Sequence, residues 1–170
     1  MGLEIADKHD SQDICFVPQG KYADIIRKMH PEAVAQGEIV HLDGRVLGTH
    51  EGIVNYTIGQ RKGLGAAGRP QYVVKIEPSL NRVVIGSDSD LLRTRFTVRD
   101  VNWIAVKGAP DRIPCQIQIR NRFEPQPGHV VQQDGQTIVE FETPQRAVTP
   151  GQGAVFYWDD VVVGGGWIAA

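Results

Sequence analysis

The chain has 170 residues, 41% hydrophobic and 22% charged, which suits one globular domain or two small ones and separates no functions by itself. A formal net charge of -2 argues against indiscriminate nucleic-acid binding, so any RNA site has to be a local patch of Lys and Arg. The two cysteines, Cys15 and Cys115, form neither a zinc spacing nor a Cys-x-x-Cys pair and are too few for a secreted disulfide framework. With no signal-peptide pattern and no apolar run of membrane-spanning length, a reducing cytosol is the expected compartment.

Residues 1–18 read as a linker and a cysteine loop. In Asp10-Ser11-Gln12-Asp13-Ile14-Cys15-Phe16-Val17-Pro18 one thiol lies between acidic and apolar neighbours. A reactive cysteine acts as its thiolate, which Lys8 and His9 favour and Asp10 and Asp13 oppose. On the residues alone Cys15 reads first as a small buried apolar residue beside Ile14 and Phe16, with a nucleophile as the other reading.

Residues 19–90 read as a β-rich unit that opens with one short helix. From Lys21 to His30, apolar Tyr22, Ile25, Ile26 and Met29 recur at helical spacing between Gly20 and Pro31. Short strands follow at Glu38–Leu42 and Arg45–Leu47 around an Asp43-Gly44 hairpin turn, then at Gln71–Glu77 and Arg82–Gly86. The glycine-rich run from Ile58 to Pro70 carries Arg61, Lys62 and Arg69 and suits a tight connection or a loop lying on a phosphate backbone. Ser87-Asp88-Ser89-Asp90 reads as a junction.

Residues 91–170 show six short strands: Phe96–Val98, Pro114–Arg120, Gly128–Gln133, Thr137–Phe141, Ala154–Trp158 and Val161–Val163. Six strands in so short a stretch predict a small closed barrel, with Asp134-Gly135 and Asp159-Asp160 as its tight turns. In Ile113–Arg120 strict alternation puts Ile113, Cys115, Ile117 and Ile119 on one face, which makes Cys115 a core residue. Arg120 leaves on the polar face and Arg122 shares its parity; solvated strand-end arginines and phosphate contacts both fit. Gln152, between Gly151 and Gly153, offers an amide that donates and accepts, or is ordinary turn chemistry. Trp103 and Phe156 read as core, and one of Tyr157 and Trp158 has to face outward. The scattered histidines suggest no metal site, and His50 suits packing or hydrogen bonding.

Several long stretches together resemble one family. Ser11-Gln12-Asp13-Ile14-Cys15-Phe16, Gly48-Thr49-His50-Glu51-Gly52, Asn55 through Gly65, Asp100-Val101-Asn102-Trp103, Thr149 through Tyr157 and Gly164-Gly165-Gly166 stand in the order and spacing of the tRNA-specific 2-thiouridylases. The resemblance covers essentially the whole chain, but only the central and C-terminal parts of the family protein. It implies a translation-factor-like C-terminal β-barrel that contacts tRNA at positions matching Arg120, Asn121 and Gln152; Arg61 and Lys62 as a basic pair, and Arg122 by its parity with Arg120, are further RNA-binding candidates on the residues alone. Family members often carry an aromatic residue where Asn121 stands.

It also implies that Cys15 carries a persulfide, loaded by a sulfur-carrier protein. The cofactors ATP and Mg would belong to an N-terminal ATP-pyrophosphatase domain, whose Ser-Gly-Gly-x-Asp-Ser loop is not found in these residues; none is expected here. Product would be 2-thiouridine at the tRNA wobble position. The rival from another class is a non-enzymatic RNA-binding module; a cysteine hydrolase has no supporting motif.

Overall fold

The structure, a computed structural model, describes residues 29, 34–64, 70–121 and 123–169. The expected Lys21–His30 helix lies outside them except for Met29, which is exposed, and the Cys15 loop lies wholly outside.

Four strands, β1 (Gly37–His41), β2 (Val46–His50), β3 (Tyr72–Glu77) and β4 (Arg82–Gly86), form one sheet in the order β2-β1-β4-β3. β1–β2 is the hairpin expected at Asp43-Gly44, where Gly44 takes φ +89° as such a turn requires. β3–β4 is antiparallel, while β1 and β4 run parallel with Ile39 opposite Val83 and Val40 opposite Val84. Continuous apolar runs here mean burial on both faces. Ile39, Val73, Val83 and Ile85 pack on Leu64 at one face; Val40, Val74 and Val84 pack on Leu91 and Ala147 at the other.

Six more strands close into a barrel: β5 (Leu92–Trp103), β6 (Arg112–Gln118), β7 (Gln126–Gln133), β8 (Gln136–Arg146), β9 (Gly153–Trp158) and β10 (Val161–Ile168), in the order β10-β5-β8-β7-β6-β9. Every pair is antiparallel, and closure leaves no sheet edge. The mainly β class and the six-stranded barrel expected from the sequence are therefore present, and the described residues contain no helix of seven residues or more. Five of the six strands are longer than their apolar kernels suggested, most of all β5 and β8, while β6 keeps its expected length but runs Arg112–Gln118 instead of Pro114–Arg120. Asp134 and Gly135 both take positive φ, the turn that matches strand twist.

The barrel core holds Ile113, Cys115, Ile117 and Ile119 on one face of the β6 segment, as alternation required. Phe156 is fully buried; Trp103 is only partly so, its ring 5.9 Å from Phe156. Trp158 is the more exposed member of its pair, although it shares the side of Phe156, because β9 ends there, and it donates its indole N–H to Pro114 O at 2.9 Å. A residue's N and O point to the same side of a strand, so the missing N–H of Pro114 also faces the side where β9 ends, and no ladder bond is lost.

Barrel and sheet meet through Leu91 and Ala147, which are buried against Val40, Val74 and Val84. Ala147 N–H donates to Leu91 O at 2.9 Å, and Arg146 Nε reaches Asp88 Oδ1 at 2.9 Å. In the sheet, buried His50 accepts Gly52 N–H at Nδ1 and sits 3.1 Å from Asn81 O through Nε2. The first contact needs a lone pair on Nδ1, so the ring proton resides on Nε2 and is donated to Asn81. His50 is thus a hydrogen-bonding strut.

Candidate nucleic-acid interface

Alternation in the β6 segment continues past its last ladder residue. Ile119 is still buried, so Arg120 emerges on the polar side at the end of the barrel. Its Nη2 donates to Arg146 O at 3.0 Å, and its guanidinium lies 4.7 Å from the Phe123 ring centroid. Arg120 is therefore partly buried and held in place, not a freely solvated strand-end cation. A guanidinium has five N–H donors, so donors remain after one bond.

Gln118 fixes the loop that follows. Its Nε2 donates to Phe123 O at 2.8 Å and its Oε1 accepts the Tyr157 hydroxyl at 3.2 Å. Asn121 is exposed at the turn of this loop.

Gln152 arrives at the same end from another direction. The β6–β9 ladder pairs Gln116 with Tyr157 and Gln118 with Val155, so the chain leaves β6 where β9 begins at Gly153. Gly151 takes φ +84°, and the end of β10 holds the turn on both sides: Gly151 N–H donates to Ile168 O at 2.9 Å, and Ile168 N–H donates to Gln152 O at 2.8 Å. The backbone is pinned while the Gln152 side chain stays exposed.

Arg61 and Lys62 are exposed on a third segment. Gln60 organises it, accepting Thr57 N–H and donating to Lys62 O at 2.9 Å, while Gly59 N–H donates to Val73 O at 2.7 Å. A Cβ on Gly59 would lie 3.3 Å from Ala147 Cβ, so this segment abuts the residue that follows β8. Three separate segments, 58–62, 118–121 and 146–152, thus converge where the barrel faces the sheet. Arg146 links them, and the sequence gives no local sign of it because its partners Asp88, Tyr72 and Arg120 are all distant in the chain.

Cys115 belongs elsewhere. It is 8% exposed, and burial pushes its thiol pKa up to about 11, so it remains protonated at neutral pH and is not a nucleophile. Cys15 and Arg122 lie outside the described residues. Among the described residues no group of three His, Cys, Asp or Glu could hold a metal ion, and no helix is long and apolar enough to cross a membrane.

Two family models match in succession: a tRNA methyl transferase PRC-barrel domain over residues 23–87 and an aminomethyltransferase β-barrel domain over residues 93–168. Relatives named tRNA-specific 2-thiouridylase MnmA align along nearly the full chain. The one from Rhodospirillum centenum is 49% identical over 99% of this chain and 45% of its own length. Those from Chloroflexus aurantiacus and Solibacter usitatus are 49% and 51% identical over 99% of this chain and 47% and 48% of theirs. The chain spans about half the length of these curated relatives. With both domain models in sequence and near-complete alignment to these relatives, the chain belongs to the tRNA-specific 2-thiouridylase family, over its central and C-terminal domains.

Proposed function

We propose that this chain is the tRNA-holding and sulfur-relaying portion of an enzyme that makes 2-thiouridine at the wobble position of tRNA. The observation that carries the proposal is the convergence of Arg120, Asn121 and Gln152 at one end of the barrel, beside the Arg61–Lys62 segment. Sequence-distant polar side chains on a pinned backbone suit RNA recognition, in which phosphate and sugar contacts set register and amides read exposed edges.

In this reading ATP and Mg act in the part of the relatives that this chain does not span. ATP adenylates the C2 oxygen of the uridine and releases pyrophosphate, and the oxygen later departs with AMP. Cys15 supplies the sulfur. A carrier protein transfers sulfane sulfur to its thiolate, and the persulfide's terminal sulfur attacks C2, its bond to Cys15 breaking as a second cysteine attacks the Cys15 sulfur. That second cysteine is not Cys115 but one in the part of the relatives that this chain does not span. The two thiols end as a disulfide, which external thiols reduce for the next turnover. A stacked wobble base has to turn out to reach such a thiol, and a barrel gripping the anticodon arm holds the RNA while it does. A reducing cytosol is the fitting compartment. By itself the chain would bind RNA and make no product.

The test joins this chain to an ATP-pyrophosphatase domain of the family and measures 2-thiouridine in tRNA, with Cys15→Ala as the comparison. The proposal predicts product from the unaltered chain and none from the variant. Full product from Cys15→Ala would remove Cys15 from the chemistry.

A further inference from the structure

The outer wall of the barrel carries a feature that the fold does not require. Along β5, Phe96 and Val98 point into the core, so Arg95, Thr97 and Arg99 point outward. Arg93, Arg95 and Thr97 line one groove together, which places Arg93 on the same track. Successive outward positions are about 6.6 Å apart at the usual strand rise, giving a row of guanidiniums over about 20 Å. Directly across from Arg99 in the β10 ladder stands Trp167, 50% exposed, while its neighbour Ile168 is buried in the core. A large indole left half in water beside an arginine row has no packing explanation.

We propose that this stripe is a track for an RNA strand, with backbone phosphates on Arg93, Arg95 and Arg99 and one unstacked base on Trp167. Basic side chains that follow a backbone, with an aromatic face at which a base stacks, are the chemistry of single-strand binding. The groove at its foot, about 330 Å³ between sheet and barrel, has an apolar floor including Ile58, Val74 and Val148, has Lys75 at its side, and is lined by no carboxylate. Pro150 lines it too and leads directly into Gly151 and Gln152, so the track is continuous with the interface proposed above and rests on that reading.

The partners that face these cations do not block them. Arg95 lies 3.6 Å from Glu140, which Arg112 shares at 3.0 Å, and it also donates to Gln133. Arg99 pairs with Asp100, Lys75 with Glu77, and Arg93 donates to the carbonyls of Asp90 and Leu92. Exposed pairs of this kind hold weakly and exchange readily for phosphate.

The test is fluorescence anisotropy of this chain with a labelled anticodon stem-loop RNA across a salt series, with thermal midpoints recorded alongside. An Arg93→Gln/Arg99→Gln double variant should bind at least tenfold more weakly, with the salt slope shallower by about 1.4 to 1.8. The Arg93→Lys/Arg99→Lys variant should keep the slope, which separates charge from the carbonyl contacts of Arg93. Trp167→Leu should weaken binding several-fold at unchanged slope, and Trp167→Phe should largely restore it. If the glutamine variant folds poorly, the lysine and Trp167 variants decide. The track is overturned if the folded glutamine variant keeps wild-type affinity and slope while Gln152→Ala weakens binding, an outcome that leaves the interface reading standing. Polyglutamate competing as well as RNA would show a generic polyanion surface and also overturn it. No binding by the unaltered chain would remove both.

Discussion

Arg146 and Asp88 form an ion pair 2.9 Å long across the junction of barrel and sheet. The same guanidinium lies 5.0 Å from the Tyr72 ring centroid, and the carbonyl of Arg146 receives Arg120. Next to it Ala147 takes φ +55°, a left-handed conformation disfavoured for a residue with a Cβ, and is buried against both bodies. The end of β8 thus sets how Arg120 stands relative to the sheet.

Arg146→Ala should therefore do two things. An exposed ion pair and a cation–π contact together contribute about 1–2 kcal/mol, which urea unfolding would register. RNA affinity should fall as well, although the Arg120 acceptor is backbone and survives, because the segments bearing Arg61 and Gln152 lose a common anchor. A stability change with unaltered RNA affinity would confine Arg146 to folding.

Cys115 should be inert in the folded chain. Its thiol titrates at about 11 when folded, above the ordinary value of about 8.5 that applies when unfolded. Below both values neither state loses the proton and stability is unaffected. Between them the unfolded chain releases a proton that the folded chain keeps, so stability falls as pH rises from about 8.5 towards 11. Cys115→Val should flatten that part of the pH profile, while Cys115→Ser, placing a hydroxyl in the core, should cost about 1–3 kcal/mol. Thiol labelling of Cys115 should track global unfolding; rapid labelling under native conditions would contradict its placement.

Gly128 is required by close approach. A Cβ there would lie 2.5 Å from Glu140 O and 2.8 Å from Ile117 Cδ1, and the carbonyl belongs to a ladder that cannot yield. Gly128→Ala should destabilise by about 1–3 kcal/mol. Gly48→Ala, where nothing lies within 4 Å, should stay within about 0.5 kcal/mol. Equal thermal midpoints for the two variants would show that the barrel tolerates the methyl group.

How much could be read beforehand depended on whether the signal was local. The six barrel strands, the Cys115 register and the Asp43-Gly44 and Asp134-Gly135 turns follow from alternation and turn chemistry within a few residues. The true lengths of β5 and β8 do not. Polar Arg93, Thr94 and Arg95 hide the start of β5, and Thr143-Pro144 looks like a strand terminator. Pro144 is accommodated because the β5 partner steps from Gln145 to Glu140 between Arg93 and Arg95, an irregularity where no ladder bond is needed from it.

Parallel pairing of β1 with β4 joins strands about forty residues apart and leaves no local mark. Arg120, Asn121 and Gln152 were legible as candidates, but not the carbonyl that holds Arg120. The outward alternation of Arg93, Arg95 and Arg99 was present in the sequence. It has no local mark, because only a strand that begins as early as Leu92 puts all three on one side.

The most direct measurement of the central claim is photo-crosslinking from a photoreactive amino acid in place of Gln152 to full-length tRNA, with the adduct position mapped on the RNA. The account predicts one dominant adduct in the anticodon arm, lost when Arg120→Ala is added. Adducts scattered evenly along the tRNA, or none at all under conditions where the chain is folded, would contradict it.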